Sequence, residues 1–342
     1  MDERPFTGAT RPAAFAALQS FLPHAGARYA ARRNFDPGPG GRRNVSLLSG
    51  YIRHRLILES EVLAAVLQHH GEADASRFIE ELFWRGYFKG WLEQRPEVWR
   101  SYCSQRDQLF ARLEEDDALA ARYAEAVSGQ TSIDCFDAWA TELMHTGYLH
   151  NHARMRFASI WIFTLQLPWQ LGADFFYRHL LNGDPASNTC SWRWVAGLHT
   201  RGKNYVARAS NIERYTEGRF DPKGQLASDP APLDGEDNPP RSHLPVPASI
   251  DRSAPSLLVL HEDQLSLAHL PLGDWNIKGV LIADLLDRRS PMAVGDPVRA
   301  HVTGLIAECH NAIKDRLGFN ASVVTSLDGL ASHASACGAK QV

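Results

Sequence analysis

The sequence predicts a mostly α-helical protein that ends in a small α/β segment. Three observations carry this expectation. Apolar residues recur every three to four positions through most of residues 12–182, a Pro-, Asp-, Ser- and Gly-rich stretch without helical period covers 221–255, and strand-like apolar runs follow it. In chain order, residues 12–32 read as a helix with Phe15, Leu18, Phe21 and Leu22 on one side. Pro37-Gly38-Pro39-Gly40-Gly41 cannot be helix interior. Helical spacing resumes over 47–70. Residues 75–95 form the clearest helix, through Phe78, Leu82 and the Trp84/Phe88/Trp91 set. Further helices are predicted near 106–127 and 134–147, the latter stopped at Thr146-Gly147, and over 151–166 and 170–182. After the loop, 256–260, 279–283 and 322–325 read as strands, and 297–317 as a helix ended by Gly318. The expected organisation is a helical domain over 1–225, a linker over 226–255 and an α/β extension over 256–342.

Composition narrows the class. A chain of 342 residues with 44% hydrophobic and 22% charged residues excludes a disordered chain, a coiled coil and a collagen-like repeat. No apolar run approaches the ~20 residues needed to cross a bilayer. Met1 to Thr10 lack the basic-then-apolar pattern of a secretory signal, so a cytoplasmic protein is expected. The five cysteines are far apart and form no C-x-x-C pair, which argues against a zinc ribbon or iron–sulfur site and for buried free thiols. The net charge of -3 hides an asymmetry: residues 1–220 carry about two net positive charges and the remainder about five negative. Phosphates need not be repelled locally, although scattered basic residues are more often a solvated face. Most of the nine Trp lie between Trp84 and Trp194, as either core or a stacking surface for flat ligands.

Three clusters could carry chemistry. Glu81, Trp84, Arg85 and Phe88 share one helix face, so a carboxylate, an indole and a guanidinium could serve a planar anionic ligand. By period alone, a surface ion pair beside a core Trp is the commoner meaning. In His150-Asn151-His152-Ala153-Arg154-Met155, Asn151, Arg154 and Met155 share a face suited to a base edge and a phosphate. Read alone, such a helix start more often means capping and solvent-facing polar residues. A metal on His150 and His152 is disfavoured, because an i, i+2 spacing puts them on different faces. The third cluster is the turn Asn182-Gly183-Asp184-Pro185-Ala186-Ser187-Asn188, followed by Trp192-Arg193-Trp194. No Walker or dinucleotide glycine loop is present.

Taken in order, these phrases resemble the flavin-binding helical domain of the photolyase/cryptochrome family. The matching runs are Glu81-Leu82-Phe83-Trp84-Arg85, Thr146 through Met155, Asn182 through Asn188, Trp192-Arg193-Trp194 and Phe220-Asp221-Pro222-Lys223-Gly224. Upstream, Tyr29 and Val45 through Tyr51 look like the family's tyrosine and phosphate-binding loop; the resemblance covers roughly residues 10–225. It implies a photolyase-type helical domain holding FAD noncovalently. Ser46, Leu47, Leu48 and Ser49 would bind the pyrophosphate. Arg85 and Arg154 would surround the diphosphate and isoalloxazine, Asp184 would accept from the flavin or ribose side, and Asn188 would face flavin N5. Glu81, Trp84, Asn151 and Met155 match the lesion pocket, with Trp84 stacked on a flipped pyrimidine dimer. Trp192 and Trp169 match the first two members of the electron relay. The implied activity is light-driven splitting of cyclobutane pyrimidine dimers by an electron from reduced flavin. The alternatives are a cryptochrome-like blue-light photoreceptor signalling to a partner and a flavin redox or storage protein.

The sequence also departs from the family pattern. It begins where the family's linker helix does, which implies FAD without an antenna chromophore. No Trp stands around 110–127 for the third relay position, where Tyr123 is a nearby substitute. Asn182 replaces the acid that usually pairs with the arginine at Arg154, and His152 replaces an arginine that touches DNA phosphate. With fewer cations to grip a duplex, single-stranded DNA carrying dimers is the expected partner. The 256–342 segment could stand in for the missing front domain or form a dimer or partner surface.

Overall fold

The computed structural model describes residues 8–235 and 237–342. Long predicted helices are present but several divide. The run expected over 12–32 is two helices, α1 (Arg11–Phe21) and α2 (Ala27–Arg32). Thr10 starts the first by accepting from the Ala13 amide. Pro23 and Gly26 separate the two, and a Cβ at Gly26 would collide with Asp74 and His70. The run over 47–70 divides into α3 (Ser49–Arg53) and α4 (Glu59–His69), with Arg55 between them at φ 58°. α5 (Glu72–Glu93) is continuous, as expected. The helix expected over 106–127 is in fact α6 (Pro96–Leu113) and α7 (Asp117–Ser128). Asp116 makes the boundary by accepting from the Leu119 amide at 3.0 Å.

α8 (Asp134–Thr146) ends at Gly147, whose φ of 68° and 2.6 Å virtual Cβ contact with Leu181 admit no larger residue. α9 (Asn151–Ser159) runs into a π-helical turn over Ile160–Thr164, and α10 (Trp169–His179) follows. A second π-helical turn (Pro185–Cys190), α11 (Trp192–Ala196) and α12 (Ala209–Tyr215) complete the helical part. Residues 221–255 form no helix or strand among those described.

Beyond that stretch come β1 (Ser256–His261), β2 (Ile277–Ala283), α13 (Asp296–Leu317), β3 (Ser322–Val324) and α14 (Leu330–Ala336). The strands make a parallel sheet in the order β1-β2-β3, with Leu258 opposite Val280 and Ile282 opposite Val323. One apolar core, around Phe136, Trp139, Phe157 and Trp161, lies within α5–α12. The other joins Leu18, Tyr51, Val62 and Phe78 of the first helices to Leu260, Ile282, Val298 and Leu305 of the α/β segment. The α/β segment therefore covers one side of the first helices. Cys135, Cys190 and Cys309 are buried free thiols, whereas Cys103 and Cys337 are only half-buried. No helix among the described residues is long and apolar enough to cross a membrane.

Candidate functional site

A cavity of about 640 Å³ opens between α3, α5, α9 and the turn that precedes α11. Its size is that of a cofactor pocket. Tyr29, Ser46, Leu47, Leu48, Ser49, Arg85, Arg154 and Asn188 all line it, and so do Glu81, Trp84, Asn151, Met155 and Trp192. Asp184 and Trp169 do not.

Local chemistry explains these positions. Tyr29 packs edge-on against Phe21 and Phe78. Burial first, then the nearby Glu81 carboxylate, raise its phenol pKa, so it stays protonated. Leu47 sits at φ 54°, a left-handed conformation that costs a branched residue about 1–2 kcal/mol and turns the loop between Val45 and α3. Glu81 does not stand alone. Arg33, at the end of α2, forms a close ion pair with it. Trp84 is half-exposed at the rim, with its ring edge-on to Tyr87 at 5.3 Å.

Asp184 acts from behind the wall. Its Oδ1 accepts from the Ala186 and Ser187 amides at 2.8 and 2.7 Å, and its Oδ2 accepts from the Ser187 hydroxyl at 2.6 Å and Arg85 Nη1 at 3.2 Å. Every lone-pair direction is spent inside the protein, so the carboxylate shapes the turn and holds Arg85. Burial opposes its ionisation, but Arg85, Arg53 and the Ser187 hydrogen bonds outweigh that and hold its pKa below the usual carboxylate value. Asn188 is oriented by both ends of its amide: Oδ1 accepts from Arg154 Nη1 at 2.9 Å and Nδ2 donates to the Asn182 carbonyl at 2.6 Å.

Arg154 faces the cavity without an acid. Its Nε donates to the Leu149 carbonyl at 2.7 Å, its guanidinium lies over the Tyr148 ring, and it makes no ion pair among the described residues. Desolvation pushes its pKa down to about 10, with partial compensation from Tyr148. His150 caps α9, its Nδ1 accepting from the His152 amide at 3.2 Å; burial pushes its pKa down to about 3, so it is neutral and able to accept. His152 packs edge-on against Tyr215 and is pushed down to about 4, chiefly by burial, so it carries no charge at neutral pH.

Trp192 contacts Trp161 at 6.2 Å between ring centroids, and Trp161 contacts Tyr123 at 6.1 Å. Trp169 lies against Tyr102 at 5.7 Å, and Tyr102 against the half-buried Trp99 at 5.1 Å. Sequence reasoning passed over Arg33, Tyr87, Tyr148 and the His199-Thr200 loop. Tyr87 could have been found at i+3 from Trp84. The others come from short or irregular segments that bear no periodic signal.

Residues 78–229 match the FAD binding domain of DNA photolyase. Over that region the chain is similar to the photolyase/cryptochrome family. It is 34% identical over 219 residues to a deoxyribodipyrimidine photo-lyase of Thermus thermophilus, a match that covers 62% of this chain and 48% of the relative. It is 31% identical over 193 residues to the deoxyribodipyrimidine photo-lyase of Streptomyces griseus, covering 52% and 41%. A crystal structure of a bacterial class III photolyase from Agrobacterium tumefaciens superposes with a TM-score of 0.49 at 25% identity, covering 61% of this chain and 43% of that one. The chain thus spans about half the length of the curated relatives it matches.

The residues present suit the cofactor of this domain type. A cavity of cofactor size contains a desolvated guanidinium, Arg154, that makes no direct ion pair among the described residues and feels Glu142 and Asp184 only at longer range, which leaves room for a counter-charge in the space itself. An anionic dinucleotide supplies one.

Proposed function

We propose that this protein uses FAD and blue light to split cyclobutane pyrimidine dimers in DNA, with single-stranded DNA preferred. The observation that carries the reading is the joint lining of one cavity by Arg154, Asn188 and the 46–49 loop on one side and by Glu81, Trp84, Asn151 and Met155 on the other. FAD, when bound and reduced, supplies the electron that opens the cyclobutane ring. The chain's own residues do the rest. Ser46, Ser49 and the intervening backbone would hold the pyrophosphate, Arg154 would balance the negative charge, and Asn188 would keep one amide edge at the flavin. The exposed indole of Trp84 would stack on the everted base pair, and Glu81, paired with Arg33, would receive a base N–H. Trp192 and Trp169 would relay charge between the cavity and the surface. The single-strand preference is supported by the neutral His152, which has no charge to offer a phosphate.

The test is an absorption spectrum of the purified protein, followed by illumination with blue light in the presence of a thiol reductant and dimer-containing oligothymidine. A flavin spectrum and loss of dimers are expected. A colourless protein that refuses added FAD would overturn the reading, and a flavin-loaded protein that leaves dimers intact would favour the photoreceptor alternative. Equal or better repair of duplex lesions would remove the single-strand preference.

Asn182 offers a further prediction. Asn182→Asp would introduce a carboxylate beside the Arg154–Asn188 hydrogen-bond chain. We expect it to raise the Arg154 pKa and lower the midpoint potential of bound flavin, because the acid then competes with the flavin for the same cation. Spectroelectrochemical titration of the two proteins checks this; an unchanged potential would mean that Arg154 does not act on the flavin.

A further inference from the structure

We propose that Glu262, at the end of β1, is a positioning residue for the cavity, so that the α/β segment sets the turn carrying Asp184 and Asn188. The proposal rests on the cavity being the flavin site. Glu262 and its partner Arg53 both lie outside the region that matches the family's FAD-binding domain.

The Glu262 carboxylate sits between two buried arginines. Its Oε2 accepts from Arg289 Nη2 at 2.6 Å and Nε at 3.2 Å, and its Oε1 accepts from Arg53 Nη2 at 3.3 Å. Each arginine also donates to a backbone carbonyl of the same short stretch. Arg53 Nε donates to the Gly183 carbonyl at 2.8 Å, and Arg289 Nη1 donates to the Tyr177 carbonyl at 3.1 Å. Arg53 also pairs with Asp263, the next residue of the loop. The Glu262 carbonyl accepts from His54 Nδ1 at 2.6 Å, which ties the loop to the end of α3 as well.

The consequence is geometric. Gly183 is packed so tightly that a Cβ would lie 2.7 Å from the Tyr177 carbonyl and 3.1 Å from Arg289 Nη1. The carbonyl held by Arg53 belongs to the residue immediately before Asp184, and Asn188 follows four residues on from Asp184. A charge at 262 therefore fixes both guanidiniums, and they fix the peptide groups from which the cavity wall is built. Among the described residues, removing that charge leaves Arg289 without an ion-pair partner and Arg53 with Asp263 as its remaining one. In metal sites, partners that orient the ligands typically shift affinity by about 10–100-fold, and an effect toward the lower end of that range is expected here.

The experiment uses the full chain and FAD itself as the probe. Glu262→Gln keeps the shape and removes the charge, Glu262→Asp keeps the charge, and Val298→Ala on α13 loosens the same core without touching the carboxylate. FAD dissociation constants, melting temperatures and amide exchange over residues 183–188 are measured, the exchange in the FAD-free protein. We expect Glu262→Gln to weaken FAD binding roughly tenfold or more and to speed exchange at Ala186 and Ser187. Glu262→Asp should recover most of both. Val298→Ala should lower the melting temperature with FAD binding held within about twofold. FAD binding unchanged by Glu262→Gln, or weakened equally by Val298→Ala, would overturn the proposal. If the wild-type chain binds no FAD while exchange still responds to Glu262→Gln, the flavin reading falls and the coupling of Glu262 to the turn stands.

Discussion

Replacing Asp184 by alanine is expected to lower the stability of the protein by about 3–5 kcal/mol, the size of effect seen when one partner of a buried ion pair is removed. Four donors on three residues lose this acceptor at once: the Ala186 amide, the Ser187 amide and hydroxyl, and the Arg85 guanidinium. Native proteins hold only about 5–15 kcal/mol in reserve, so the loss would be visible as a large fall in urea midpoint and melting temperature. Asp184→Asn retains one acceptor oxygen and should fall between the two proteins. Asp184 also makes a pH prediction. Its folded pKa lies below the unfolded value of about 3.9, so its contribution is fully present above that value and disappears as pH falls through the folded pKa. The stability difference between wild type and Asp184→Ala should therefore be flat from pH 5 to 8 and shrink only in acid. A difference that varies across neutral pH would show that the carboxylate is not held in the way described.

Trp84→Ala should separate binding of the lesion from binding of the cofactor. The indole is 51% exposed, so its loss removes little buried surface and should leave the fold intact. Base–aromatic stacking contributes about 1–3 kcal/mol, which corresponds to a fall in affinity for dimer-containing oligothymidine of roughly five- to 150-fold. FAD content should not change. Fluorescence anisotropy of labelled oligonucleotide, read beside the flavin absorbance, checks both statements. Unchanged affinity for the lesion would take Trp84 out of the pocket.

The parts of this molecule that a reader could find in the sequence are those with period or punctuation. α5 was legible because Phe78, Leu82 and Trp84 recur at helical spacing, and the end of α8 because Gly147 supplies a left-handed residue. The break between α6 and α7 was hidden: Glu114-Glu115-Asp116 differ little in character from the polar faces on either side, and only the hydrogen bond from the Leu119 amide reveals Asp116 as a cap. The π-helical turn over Pro185–Cys190 and the short α11 are too brief for any periodic pattern, yet they carry Asn188 and Trp192. The site was legible as a list of side chains, and their resemblance to a known family brought them together before their geometry was seen. What that list could not convey was direction. Asp184 looks like a ligand in sequence but faces the turn, and Arg33, one basic residue among many in sequence, reaches Glu81. Those facts depend on how α2 and the 183–188 turn are seated, which no local pattern specifies.

The sharing of one core by α1–α5 and the strands at the far end of the chain has a consequence for biosynthesis. During translation, the helices α1–α4 leave the ribosome with part of their apolar faces bare, and the strands β1 and β2 that shield them are made much later. Contacts of such long sequence separation form slowly, because a large loop must close before they are rewarded. Until those strands emerge, the bare faces are exposed to chaperones and to other chains.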